Sequence, residues 1–313
     1  MTGKSAFYTK SFFIGLFVIV GQLVSVYSQD KKIGGIINSY KRVEAIGSSP
    51  KDNVTLNDVA GLEAGDTVLL IQMKGAIINV PEGASFGLYQ DFFGAPGQSE
   101  FLIIESINAG TKNVKFTAII LNTFDTKGLV QLVKVPFYNT ATVTSTLTCE
   151  PWDSVSKTGG VLVMIVGRTL LLNANIDVEG KGFIGGLAAE GAGLCTSSGA
   201  GLDNFGYPAS YGNSGYKGES VAQRAFLDVG NYPPFFPNYA KGKGDSFTGG
   251  GGGNGKYSGG GGGSNWGTGG YGGKESATCA GAVYGGNGSR TIKNTDFDAG
   301  FIMGGGGGGS PYA

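Results

Sequence analysis

Two carboxylates two residues apart, Asp177 and Glu179, are the side chains whose types and spacing come nearest to catalysis. On a strand such a pair points to one face, and paired carboxylates are what a polysaccharide-cleaving enzyme uses. A lone D-x-E is also what a solvated surface carries. A second cluster, Asn294-Thr-Asp296-Phe-Asp298, offers hard oxygen donors, which makes Asn294, Asp296 and Asp298 the candidate ligands for Ca2+. It lacks the distal Glu of an EF-hand loop and the nonapeptide repeat of a calcium β-roll, so the expectation is no cofactor, with Ca2+ as the alternative. Histidine is absent from the whole chain. That removes Ser-His-Asp and Cys-His nucleophilic mechanisms and the commonest catalytic zinc ligands. The stretch 249–255 matches G-x-G-x-x-G only because any glycine run does, with no strand before it and no helix-forming sequence after it.

Three cysteines remain, Cys149, Cys195 and Cys279. Their spacing fits no zinc motif, and the odd count leaves one over. Cys195 and Cys279 share the glycine-rich half, so a bridge between them is the favoured pairing; three unpaired buried thiols are the alternative. The segment Lys74 to Ser99 carries the aromatics Phe86, Tyr89, Phe92 and Phe93. They can serve as a flat ligand surface, or fold back to cap the end of a barrel.

The elements that would position these groups are strands. Asp66 to Met73, Phe101 to Ile104, Val114 to Ile120 and Leu129 to Val135 are β-branched or aromatic runs separated by turn residues, and no sustained 3.6-residue apolar period appears. The expectation is an all-β fold: a small β-barrel or sandwich over residues 29–150, followed at 151–313 by a β-solenoid-like, glycine-rich domain. Gly160 to Val166, Thr169 to Leu172 and Ile176 to Val178 read as short rungs joined by glycine corners. Of 60 glycines, 42 lie from Gly180 onward, including the runs 249–263 and 304–309. Glycine brings no side chain to bury, so these runs are either a flexible linker or extended three-residue helices packed backbone against backbone. Serine is scarce in them, and Tyr257, Trp266, Tyr271 and Tyr284 punctuate them like pegs covering a glycine layer, which favours packing. The last run ends close to Ala313, an abrupt stop that reads as a truncated domain.

Composition bounds the function. Lys and Arg balance Asp and Glu at 23 each, and only 15% of residues are charged, so there is no basic field for nucleic acid. Lys4 and Lys10, the apolar stretch from Phe12 to Val26 and the small residues up to Ser28 read as a signal peptide over 1–28, cut after Ser28. The apolar stretch falls short of the ~20 residues needed to span a bilayer, so no membrane span is expected in the mature chain.

Four stretches carry a resemblance: Val54 to Ala76, Val130 to Pro136, Leu170 to Phe183, and Phe301 to Gly309. With them the chain resembles the N-terminal region of large secreted glycine-rich proteins of Bacteroidetes. Those look like adhesin-type cargo of the type IX secretion system, commonly ending in a gliding-motility-associated C-terminal domain. The resemblance implies a secreted or cell-surface protein for attachment or gliding motility, with the secretion machinery and an extracellular glycan or protein as partners. No such sorting domain lies within these residues. A fainter likeness, to the glycine-rich ligand-binding domain of certain animal receptor kinases, bears only on polyglycine packing. The expected function is therefore a non-enzymatic structural or adhesion protein; the alternatives are a polysaccharide-cleaving enzyme on a β-solenoid and a passive extracellular spacer.

Overall fold

The computed structural model describes residues 31–92, 95–190, 194–199, 201–222, 238–292 and 300–312. The expected signal peptide and its cut after Ser28 lie outside them. The fold is all-β, as the sequence led us to expect, and among the described residues the only helical pieces are two 3-10 turns. The strands are β1 (Lys31–Ile36), β2 (Tyr40–Ile46), β3 (Asn53–Leu56), β4 (Thr67–Gln72), β5 (Ala76–Ile78), β6 (Tyr89–Phe92), β7 (Ser99–Asn108), β8 (Asn113–Phe116), β9 (Val130–Lys134), β10 (Phe137–Thr148), β11 (Ile165–Leu172), β12 (Ala189–Glu190) and β13 (Pro311–Tyr312).

Six antiparallel strands run in the order β2-β3-β8-β7-β4-β9, and β9 closes the ring by pairing with both β4 and β2. The interior is filled by Val54, Leu56, Val68, Leu70, Leu102, Ile104, Val114, Phe116, Val130 and Leu132. Strand β4 shows why its apolar run is continuous. Val68 and Leu70 point into the barrel, while Leu69 and Ile71 point outward into a second core with Trp152, Phe183, Val221, Phe247 and Ile292. That second core draws on residues from both sides of the expected boundary at 150.

Beside the barrel lies a parallel sheet, β1-β10-β11, closed over Ile33, Ala141, Val143 and Leu147. Here the structure departs from the expected rungs. Residues 160–164 are not a strand, because Val161 and Val163 spend their backbone groups on side chains: Tyr40 Oη donates to the Val161 carbonyl, and Asn38 bonds Val163 at both its carbonyl and its amide. Residues 176–178 contribute only a single bridge, Leu147 to Ile176. A longer run of solenoid rungs is not seen among the described residues.

In the glycine-rich half, backbone bonds recur at every third residue. Gly305 and Gly308 donate to the carbonyls of Ser264 and Gly261, while Gly306 and Gly309 donate to those of Glu219 and Tyr216. Gly250 and Gly253 donate in turn to Gly306 and Gly309, and Gly259 and Gly262 to Gly273 and Gly270. The approach is too close for side chains: a Cβ on Gly261, Gly272, Gly306 or Gly308 would fall well inside 3.0 Å of a neighbouring carbonyl oxygen. Tyr257, Trp266, Tyr271 and Tyr284, expected as pegs over the glycine segments, are all exposed.

Candidate functional site

The aromatic loop is a hairpin, with β5 pairing β6. Its first aromatic, Phe86, turns inward and is 1% exposed, packed against Phe205 and Tyr239 at ring-centroid distances of 6.0 and 5.9 Å. Tyr89 is half-buried against Phe247, and Phe92 stacks on it at the surface with a 6.3 Å centroid distance. Of the expected ligand surface, Phe86 is thus a buried cap and Phe92 faces solvent; Phe93 lies outside the described residues.

Over the Phe86 ring, at 4.5 Å from its centroid, sits the ammonium of Lys217, fully buried. It donates to three main-chain carbonyls, those of Phe205, Gly242 and Gly244. Desolvation pulls its pKa down to about 7, against the upward pull of the Asp245 and Glu82 charges. Asp245 is itself buried, bonded to the Arg290 guanidinium at 3.0 Å, and burial pushes its pKa up to about 6 although Arg290 and Lys217 oppose the shift. Arg290 also reaches the Phe86 carbonyl, and Glu82 accepts from the amides of Phe205 and Gly206. At Gly87, whose φ is +80°, any Cβ would strike Asp245, so the hairpin can lie against this cluster only with glycine there.

A second buried pair joins the barrel side to the glycine-rich half. Lys74 Nζ lies 2.5 Å from Glu219 Oε1, which also accepts from Trp152 Nε1 at 2.9 Å, while Glu219 Oε2 accepts from the Ile184 amide at 3.1 Å. The Lys74 ammonium sits 5.0 Å from the Phe183 ring centroid. Every oxygen of this carboxylate is engaged internally, which makes the pair a clamp between the two halves rather than an acid facing a substrate.

Cys195 and Cys279 are bonded to each other, with Cα atoms 5.4 Å apart, and Cys149 is a buried thiol. Glu275 stands close enough to both sulfurs to complete a metal-ligand trio. Its oxygens are instead taken by Thr196, at 2.9 Å from the amide and 2.6 Å from the hydroxyl, and sulfurs joined in a disulfide offer no thiolate. The trio is a structural clasp in this oxidised form. Asn294, Asp296 and Asp298 lie outside the described residues.

Asp177 and Glu179 do not share a strand face. Both are exposed, Glu179 begins a turn, and its amide donates to Asp177 Oδ1 at 2.9 Å, the local bond of an Asx turn. A cleft of about 260 Å³ lies elsewhere, lined by apolar side chains that include Leu69, Ile71, Met73, Phe101, Val163 and Met303. No titratable side chain lines it.

No family model, curated protein or solved structure matches this chain. Among the described residues no helix is long and apolar enough to cross a membrane.

Sequence reasoning missed the two buried charge clusters. Lys74 and Lys217 each stand next to glycine, and neighbours of that kind carry no signal of burial. One signal was available for Lys217: the tract 215–220, GYKGES, alternates glycine with polar residues at a spacing that three-residue packing would bury.

Proposed function

We propose that this chain is a secreted or cell-surface structural and adhesion module without catalytic activity. In this reading the barrel, a short parallel solenoid and a packed polyglycine layer form one stiff platform. The observation that carries it is the three-residue recurrence of backbone bonds between glycine segments, the signature of extended left-handed helices packed side by side. A linker would leave these amides to water. The clamp of Lys74 on Glu219 and the Cys195–Cys279 bond add ties of the kind an extracellular protein needs. The exposed rings Trp266, Tyr271 and Tyr284 supply a contact surface for an extracellular glycan or protein, with the Lys274 ammonium 4.8 Å from the Tyr284 ring centroid. Attachment or gliding at a bacterial surface, with export by the type IX machinery, follows from the resemblance alone.

The test is to measure binding of the purified chain to cells and a glycan array alongside release of reducing ends or unsaturated sugars. Binding without release is expected. Turnover that disappears in Asp177→Asn would overturn it.

A further inference from the structure

Of the lysine–carboxylate pairs among the described residues, Lys74–Glu219 alone is sealed from water. Its side chains are 2% and 1% exposed, whereas Lys41–Asp58, Lys115–Glu105, Lys134–Asp66 and Lys243–Asp203 each leave at least one partner open to solvent. Its surroundings are apolar, with Trp152 and Phe183 beside it in the core that joins the barrel to the glycine-rich half. Both backbones are pinned. The Lys74 amide donates to the Gly128 carbonyl at 2.8 Å and the Glu219 amide to that of Ile184 at 2.9 Å, so an amine and a carboxyl 145 residues apart in sequence are held against each other. Lys74 Nζ is 2.5 Å from Oε1, and the C–O bond adds only ~1.2 Å, which places the nitrogen within about 3.7 Å of the carboxyl carbon. That bound borders on the ~3–3.5 Å of a near-attack geometry.

We propose that Lys74 and Glu219 condense in the folded chain to an isopeptide bond, a covalent tie between the barrel side and the glycine-rich half. The ion pair is its precursor. Nζ passes a proton to Oε1 across their contact and attacks Cδ with the lone pair this frees, while the carbonyl π electrons move onto Oε2. There the Ile184 amide, 3.1 Å away, stabilises the developing oxyanion. A second proton passes from Nζ to Oε1, the oxyanion re-forms the carbonyl, and Oε1 leaves as water with one N–H remaining on the new amide. An ammonium and a carboxylate thus become an amide and a water, balanced in atoms and charge with no co-reactant. Trp152 Nε1, which donates to Oε1 at 2.9 Å, draws electron density from Cδ and supports the departing oxygen. Two features favour the product. Reactants held in this way reach effective molarities on the order of 10⁵–10⁸ M, far above the water that would reverse the step. Condensation also replaces two buried charges, costly to desolvate, by one neutral amide. The bond is independent of what the module binds.

The measurement is the intact mass of the purified, reduced and denatured chain, followed by a tryptic digest that also reads the N-terminus. Wild type is expected to be one water lighter than its sequence, with a branched peptide joining Lys74 to Glu219. Lys74→Arg keeps the positive charge but offers a poorly nucleophilic guanidinium, so it should carry its full mass. On a reducing, denaturing gel the wild type retains a closed loop and should migrate ahead of that variant. A wild type of full mass, a lost water without the branched peptide, or the same loss in Lys74→Arg overturns the inference. The wild-type mass and digest decide it even if the variant does not fold.

Discussion

Two glycines four residues apart in one run should respond in opposite ways to the same methyl group. Gly308 sits where an added Cβ would fall well inside 3.0 Å of the Gly251 carbonyl oxygen, whereas Gly304 has nothing within 4 Å. To admit the methyl, Gly308→Ala must push the segments apart by about 1 Å or more, given a normal contact near 3.5 Å. That loosens the bond from the Gly308 amide to Gly261 at 2.7 Å and those from Gly253 to Gly309 at 2.8 Å and from Gly250 to Gly306 at 2.9 Å. At about 1 kcal/mol net for each bond, and more for groups left buried without a partner, the cost is about 3 to 5 kcal/mol. Gly304→Ala meets no obstacle and restricts the unfolded chain, so it should be neutral or stabilising by up to ~1 kcal/mol. Urea unfolding followed by circular dichroism resolves the difference, and in a melt Gly308→Ala should fall by about 10 °C. If the two variants unfold together, the run is not packed against its neighbours and the account of the glycine-rich half fails.

Reduction of the Cys195–Cys279 bond, which spans 84 residues, should cost up to about 4 to 5 kcal/mol by the loop-entropy relation, read as a lower melting temperature in dithiothreitol; an unchanged melt would place the stability elsewhere. Glu219→Gln leaves the Lys74 ammonium buried without its counter-charge and should cost ~3 to 5 kcal/mol, while a double-mutant cycle with Lys74→Met should recover much of that; additive losses would show that the two do not act as a pair. Lys217 has a folded pKa of about 7, below its ordinary 10.5, so between these values the unfolded chain binds more protons and stability rises with pH. Lys217→Met should flatten that part of the stability profile in denaturant titrations at successive pH values, and a profile identical to wild type would contradict the burial.

Much of the barrel is legible because its strands carry side-chain patterns. The run Thr-Val-Leu-Leu-Ile in β4 is continuous since both faces are buried, and Val114-Lys-Phe116 alternates as a half-buried strand should. Other parts leave almost no trace. Strand β1 holds two isoleucines among glycines and lysines, and its partner β10, rich in threonine, lies about a hundred residues on. The hairpin of β5 and β6 is hidden within what reads as a loop, because three apolar residues do not make a pattern. The pairing of glycine segments is illegible for a stronger reason: a register normally follows from which side chains must be buried, and a run of glycines has none to distinguish one alignment from the next. The candidate sites fared similarly. Lys74, Glu219 and Lys217 acquire their character from burial, which arises only when distant segments meet.

The parallel pairing of β1 with β10, in which Lys31 sits opposite Ala141, bears on how the chain acquires its shape in time. Strand β1 has a partner, β10, that follows all six barrel strands in the sequence. Its closure is a non-local event of the slow kind, since a long loop must be ordered before any contact rewards it. Strand β1 is not among the six strands of the barrel. The topology predicts barrel before parallel sheet, which pulsed hydrogen exchange would register as protection of β4 and β9 ahead of β1.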